Sequence, residues 1–350
     1  MNKLALILLV VVVACRKDHN PPIRLDAATE IVFVSRPTSS GDWKLELMQG
    51  DGGNRRAIAG VYKSPGEFTV SHDGKKIAWT AHENGAHRLY VTDKAGGTPV
   101  LLGSGVNYCG QPDWSPDDRK LVFMKSDDPA ELTIYMVDSD GKNEKRLTPD
   151  NWSACPRWFP DGKMIAYVSI VGNNRGIYSM QADGSDRKLL LSGNNFFNAL
   201  FVSPSGDKIV ATETLWERPT KIFVMNADGS NPKNLAAGVD HFTENDMGGE
   251  SNGSPAWSPD GKKIAYVSSV TNRSEIYVIN SDGTNDRRLT NTGKFNSSPS
   301  WSKDGQYILF ASNRNGDATS DLYVMKANGQ SQTALTKEAG FNISPVFVTP

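Results

Sequence analysis

The chain of 350 residues has little of what marks several common functional classes. Its formal net charge is only −1. No strong field therefore draws it to nucleic acid or an anionic surface, and no basic stripe interleaved with aromatics runs along it. One marked apolar run opens it, Leu4 to Val13, and ten residues are too few to cross a bilayer. The one Gly-x-Ser-x-Gly, at Gly249-Glu250-Ser251-Asn252-Gly253, is not on a strand–helix unit, so it does not read as the nucleophile elbow of a hydrolase. The acidic turns Asp138-Ser139-Asp140-Gly141 and Asn280-Ser281-Asp282-Gly283 lack the sixth-position glycine and twelfth-position glutamate of a calcium loop. They read as hairpin turns.

What the sequence does have is one phrase, used six times. Trp257-Ser258-Pro259-Asp260-Gly261-Lys262-Lys263-Ile264-Ala265-Tyr266 is matched at Val70–Trp79, Trp114–Phe123, Trp158–Tyr167, Val202–Ala211 and Trp301–Phe310. The serine position falls at Ser71, Ser115, Phe159, Ser203, Ser258 and Ser302, with spacings of 44, 44, 44, 55 and 44. Such a period signals a repeat architecture. Within one repeat, Pro259-Asp260-Gly261 is hairpin chemistry, because proline presets the first turn position and glycine supplies the left-handed one. Short strands are predicted over 255–258, 263–268, 276–279 and 287–290, with Asp282-Gly283 as a second hairpin. Four antiparallel strands with tight turns make one propeller blade.

The second hairpin's glycine recurs seven times: Gly52, Gly96, Gly141, Gly184, Gly229, Gly283 and Gly329. The serine phrase recurs six times because the first blade lacks an innermost strand. Pro345-Val346-Phe347-Val348 is predicted to supply it. The interval from Gly329 to Val348 is 19, equal to that from Gly52 to Ser71. The expected fold is all-β: a seven-bladed β-propeller with four antiparallel strands per blade, closed by the C-terminal strand joining the N-terminal blade. One domain over 29–350 uses nearly the whole chain.

The basic start and short apolar core read as a secretory signal over 1–14. Val12-Val13-Ala14-Cys15 resembles the bacterial lipobox, which makes Cys15 the lipidated first residue and 15–28 the anchor and tether. The expected location is the bacterial cell envelope, held to a membrane by lipid alone. In an exported protein Cys109 and Cys155 can pair. They occupy adjacent repeats in registers two residues apart, and a bridge needs Cα atoms within about 7 Å, so both the paired and the free state stay open.

The repeated Pro-x-Trp-Ser-Pro-Asp-Gly-Lys-x-Ile-Ala-Tyr core resembles that of TolB-like propellers over nearly the whole mature chain. The resemblance implies a propeller acting through its surface. TolB itself is a soluble periplasmic protein with six blades and an α/β domain. Seven blades leave no room here for that domain, so TolB's lipoprotein partnership does not transfer. Oligogalacturonate lyases share this propeller type, but their histidine and glutamine metal ligands have no counterpart. No metal or cofactor is expected.

Candidate sites fall on the loops that lead into the innermost strands, ending near 67, 111, 155, 199, 254, 298 and 344. Five carry an aromatic in one register: Tyr108, Trp152, Phe196, Phe295 and Phe341. Asparagine stands beside each, at 107, 151, 195, 296 and 342. They read either as a stacking ring for a sugar or peptide, or as interblade wedges with asparagine ties. The 236–254 loop exceeds the repeat by about ten residues and brings His241, Glu244 and Asp246 together with Asp240. It reads as a solvated acidic lid, or as a site for metal or acid–base work. His82 and His87, between two strands of one blade, read as solvent-facing. The expected function is a non-catalytic binding or scaffold module for a protein or envelope glycan on the channel face. The alternative is a carbohydrate lyase or hydrolase using the long loop.

Overall fold

The computed structural model describes residues 21–38, 41–62, 66–103, 108–126, 131–149, 152–193, 196–215, 218–235, 255–268, 273–338 and 340–348. All regular structure among them is β, in seven sheets of four antiparallel strands. No helix there is long and apolar enough to cross a membrane. Blades 2 to 7 each use four consecutive strands. Blade 1 is composite. Its innermost strand is Phe341–Val348, paired antiparallel with Glu30–Arg36, with Val346 facing Val32 and Phe347 facing Ile31. The ring is therefore sealed as the glycine count predicts. Blade 1's outer strands, Trp43–Gln49 and Arg56–Tyr62, are longer than the repeat pattern implies, and the fourth strands of blades 3, 5, 6 and 7 shrink to two residues.

The Ser-Pro-Asp-Gly phrase is a turn held by its own side chains. The Ser258 hydroxyl donates to Asp260 Oδ1 at 2.6 Å and accepts the Lys263 amide at 2.9 Å. Ser115 and Ser302 do the same with Asp117 and Lys120, and with Asp304 and Tyr307. Asp260 also accepts the Lys262 amide, so one carboxylate and one hydroxyl satisfy the turn's buried polar groups. In blade 4 the position is Phe159, which packs into the core instead. Asp161 there keeps the Lys163 amide.

The tryptophan before that serine joins neighbouring blades. Trp114, Trp257 and Trp301 donate their indole N–H to Thr69, Phe201 and Ala256 carbonyls on the innermost strand of the preceding blade. The second-hairpin glycines fit the seam on the outside. Gly52 and Gly229 have φ of 84° and 89°. A Cβ on them would stand 2.6 Å from the Leu335 carbonyl oxygen and 2.4 Å from that of Leu190. The glycine is thus required twice, for its left-handed backbone and for the close approach. Apolar clusters run from blade to blade; the largest joins Ile31, Phe33, Trp43, Ile77, Leu309 and Phe347. Ile23 packs into it, and its amide donates to Thr333 Oγ1.

The turn carboxylates couple stability to acid. Asp73 is drawn down to about 2, chiefly by the Lys75 amide. Asp117 and Asp260 are lowered chiefly by the Ser115 and Ser258 hydroxyls. A depressed folded-state pKa stabilises fully above the unfolded value of about 3.9 and loses that contribution as pH falls toward the folded value. The melting temperature, followed by circular dichroism, should be level from pH 7 to 5 and fall below about pH 4. Asp73→Asn should show a shallower acid slope.

Candidate functional site

The innermost strands of six blades surround a cavity of about 250 Å³ on the ring axis. Its wall is built mainly from one register of the repeat, the residue just before the proline position: Glu67, Gln111, Cys155, Ala199, Ser298 and Ser344, with Asn198 beside Ala199. The matching residue of blade 6, Ser254, lies outside the described residues.

Backbone geometry turns this register inward. Each innermost strand of blades 1, 3, 4 and 7 bulges here, and its ladder register shifts. Gln111, Cys155, Ser298 and Ser344 adopt left-handed φ of 52° to 54°. That conformation costs a non-glycine residue roughly 1–2 kcal/mol. A bulge also frees amides from the ladder. Two are captured by the preceding blade. Gln111 N–H donates to the Glu67 carboxylate, and Cys155 N–H donates to Gln111 Oε1 at 2.7 Å. Cys155 Sγ then reaches the Asn198 carbonyl at 3.4 Å. The result is a polar belt across blades 2 to 5.

Charge is concentrated on that side. Burial raises the pKa of Glu67 and of Asp113, while the Arg157 guanidinium opposes both shifts. Arg157 is held by the Pro156 carbonyl and lies 4.9 Å from the Phe201 ring centroid. Asp113 accepts the Trp158 amide at 2.7 Å. The opposite wall carries Ser298, Ser300 and Ser344 with Pro299 and Pro345. The arrangement offers directed hydrogen bonds and one cation among carboxyls. Burial pushes the Cys155 thiol up to about 11, which makes it a poor nucleophile.

The residues expected from sequence lie elsewhere. Tyr108, Trp152, Phe295 and Phe341 are half-buried on the face above the channel and do not line this cavity. Tyr108 packs on His87 of the neighbouring blade, with ring centroids 4.9 Å apart. Phe295 lies under Arg273, and Phe341 under Arg36. Trp152 bridges to Leu132. Phe196 opens an innermost strand, Phe196–Val202; its side chain is outside the described residues. Asn296 is fully buried, donating to the Ser274 carbonyl and Glu275, and Asn342 donates to the Ser320 carbonyl. Asn107, Asn151 and Asn195, like Cys15, His241, Glu244 and Asp246, lie outside the described residues. Cys109 and Cys155 are both buried and form no disulfide. Cys109 packs with Leu89, Leu102 and Phe123, whereas Cys155 points toward blade 5. His82 and His87, expected to face solvent, are half-buried and packed together, with ring centroids 4.8 Å apart. Among the described residues, no group of three or more His, Cys, Asp or Glu is placed to hold a metal.

Sequence reading passed over Glu67, Gln111, Asp113, Arg157 and Asn198. A signal was available: the position before the repeat's proline changes identity from blade to blade, while the position after it is proline in five of seven. That is where the scaffold's own demands are weakest.

Fold and cavity define a seven-bladed propeller with a polar axis. The TolB β-propeller domain model matches residues 24–246 and 233–350, and the chain belongs to that family. It is 30% identical over 208 residues to an uncharacterised protein of Agrobacterium fabrum, covering 57% of this chain and 68% of that one. It is 33% identical over 121 residues to the TolB homolog of Chlorobaculum tepidum, covering 34% of this chain and 27% of that one. Among solved structures, TolB from Acinetobacter baumannii is similar with a TM-score of 0.58 at 21% identity, over 93% of this chain and 67% of that one. A puromycin-hydrolysing peptidase of Mycobacterium tuberculosis gives a TM-score of 0.67 at 13% identity, over 89% of this chain and 52% of that one. These structural likenesses concern the fold.

The belt makes a chemical prediction. The Cys155 thiol should resist iodoacetamide at pH 8 in the folded protein and react once urea unfolds it, as read by mass spectrometry of the Cys155 peptide. Gln111→Ala, which removes the acceptor of the Cys155 amide, should cost roughly 1–3 kcal/mol in urea denaturation.

Proposed function

We propose that the protein is an envelope-located, lipid-anchored binding module that receives a protein or glycan ligand over its axial channel. The supporting observation is the channel wall. Six blades converge on it, five of them with a polar residue in one register, the Glu67 carboxyl and the Arg157 guanidinium stand within it, and its thiol is set for hydrogen bonding. Family membership supports a binding or scaffold role, because a relative named as a TolB homolog shares this repeat. The ligand's polar end docks against Glu67, Gln111 and Arg157, and the serine wall accommodates its other side. Anchoring rests on the apolar run Leu4 to Val13 and on Cys15.

Photo-crosslinking in cells tests the channel. A benzophenone residue replacing Ser298 or Ser344 should give a discrete adduct, and Arg157→Gln should abolish it, with the melting temperature reporting that the variant still folds. Adducts from neither position, or adducts indifferent to Arg157, would sink the reading. Anchoring is tested separately: Cys15→Ala should end incorporation of labelled palmitate and release the protein from the membrane fraction.

A further inference from the structure

The two-residue turn Asn84-Gly85 closes a hairpin in blade 2, with φ of 50° and 82°. Glu83 pairs with Ala86 across it, and the next pair inward is His82 with His87. In a hairpin of this type that second pair is the non-hydrogen-bonded one, where facing Cα atoms approach to about 4.5 Å. The two imidazole centroids accordingly stand 4.8 Å apart at a 50° tilt. Tyr108 closes one side of His87. A Cβ at Gly85 would meet nothing within 4 Å, so the turn itself stands in open space.

The repeat supplies a control. Blade 4 makes the same kind of hairpin around Gly172-Asn173, and its equivalent pair is Ile170 with Arg175. Neither position needs histidine for the fold, yet both are histidine in blade 2.

We propose that His82 and His87 form a two-imidazole site for a late first-row divalent cation, Zn2+ or Cu2+, at the rim of the channel face beside Tyr108. Imidazole nitrogen suits these ions. The two rings supply two ligands, and water or a ligand group of a docked molecule completes the shell, as in open zinc sites. The site places a Lewis acid next to the channel mouth without using any group of the channel belt. It stands or falls independently of the channel reading.

The full chain in detergent, stripped with chelator, is titrated with Zn2+ by calorimetry and with Cu2+ by electron paramagnetic resonance. One equivalent should bind, and the Cu2+ spectrum should show nitrogen coupling from imidazole. Removing an outer partner of a metal ligand already costs about 10-fold or more in affinity, so His82→Ala and His87→Ala should each weaken Zn2+ binding by at least that factor. Their melting temperatures without metal report whether the variants fold. Wild-type protein that takes up neither ion, a Cu2+ spectrum without nitrogen coupling, or undiminished binding in a folded double variant would each overturn the proposal. The last result would assign the ion to His19, His72 or His241 instead.

Discussion

The two ends of the chain meet in one antiparallel ladder, Glu30–Arg36 against Phe341–Val348, and that ladder holds a sevenfold ring shut. Without it, blade 1 would be a three-stranded sheet with a free inner edge, and the seam between blades 7 and 1 would lose its inner part. The ladder is helped across the seam by the Ser320 amide on the Gly340 carbonyl and the Asn342 amide on the Ser320 carbonyl. Closure matters beyond stability. Ser344, Pro345 and Val346 of the closing strand form one wall of the axial cavity, so the site exists only in the sealed ring.

The repeated phrase distributes its work between two faces of each blade. Serine and aspartate finish the turn on the face away from the channel mouth. The preceding tryptophan bonds inward to the neighbouring blade, and the glycine of the second hairpin lets the next blade's edge come close. These contacts are made between adjacent blades, and each hydrogen bond among them is worth about 1 kcal/mol. Their number and the apolar clusters between blades make the scaffold rigid. A rigid scaffold can carry strained residues, and the left-handed Gln111, Cys155, Ser298 and Ser344 are held this way.

The proposed binding site lies where the repeat is free to vary. Along the pre-proline register the residue runs Glu67, Gln111, Cys155, Ala199, Ser298, Ser344, and the change from charged to small gives the channel a charged side and a serine side. Blade 2 contributes twice, through Glu67 in the wall and through the histidine pair above it. Of the aromatics that stand in one register, Tyr108, Trp152, Phe295 and Phe341 are half-buried and lie off the cavity wall.

The fold was legible in the sequence because blade chemistry is local. A turn needs its own proline, aspartate and glycine, and a strand its own alternating apolar residues, so counting Gly52 through Gly329 yields seven blades and assigns Val346 and Phe347 to the first. The channel wall was not legible, because a bulge decides which way Gln111 or Cys155 points, and a bulge depends on the partner strand. Nor could the sequence bring His82 beside His87 and Tyr108, since that contact requires a hairpin register and a neighbouring blade. By itself, then, the sequence determined the repeat, the blade count and the closure, all set by short-range turn and strand preferences. The tertiary structure alone decided which residues share the axis, because convergence of six strands on one cavity is a property of the closed ring.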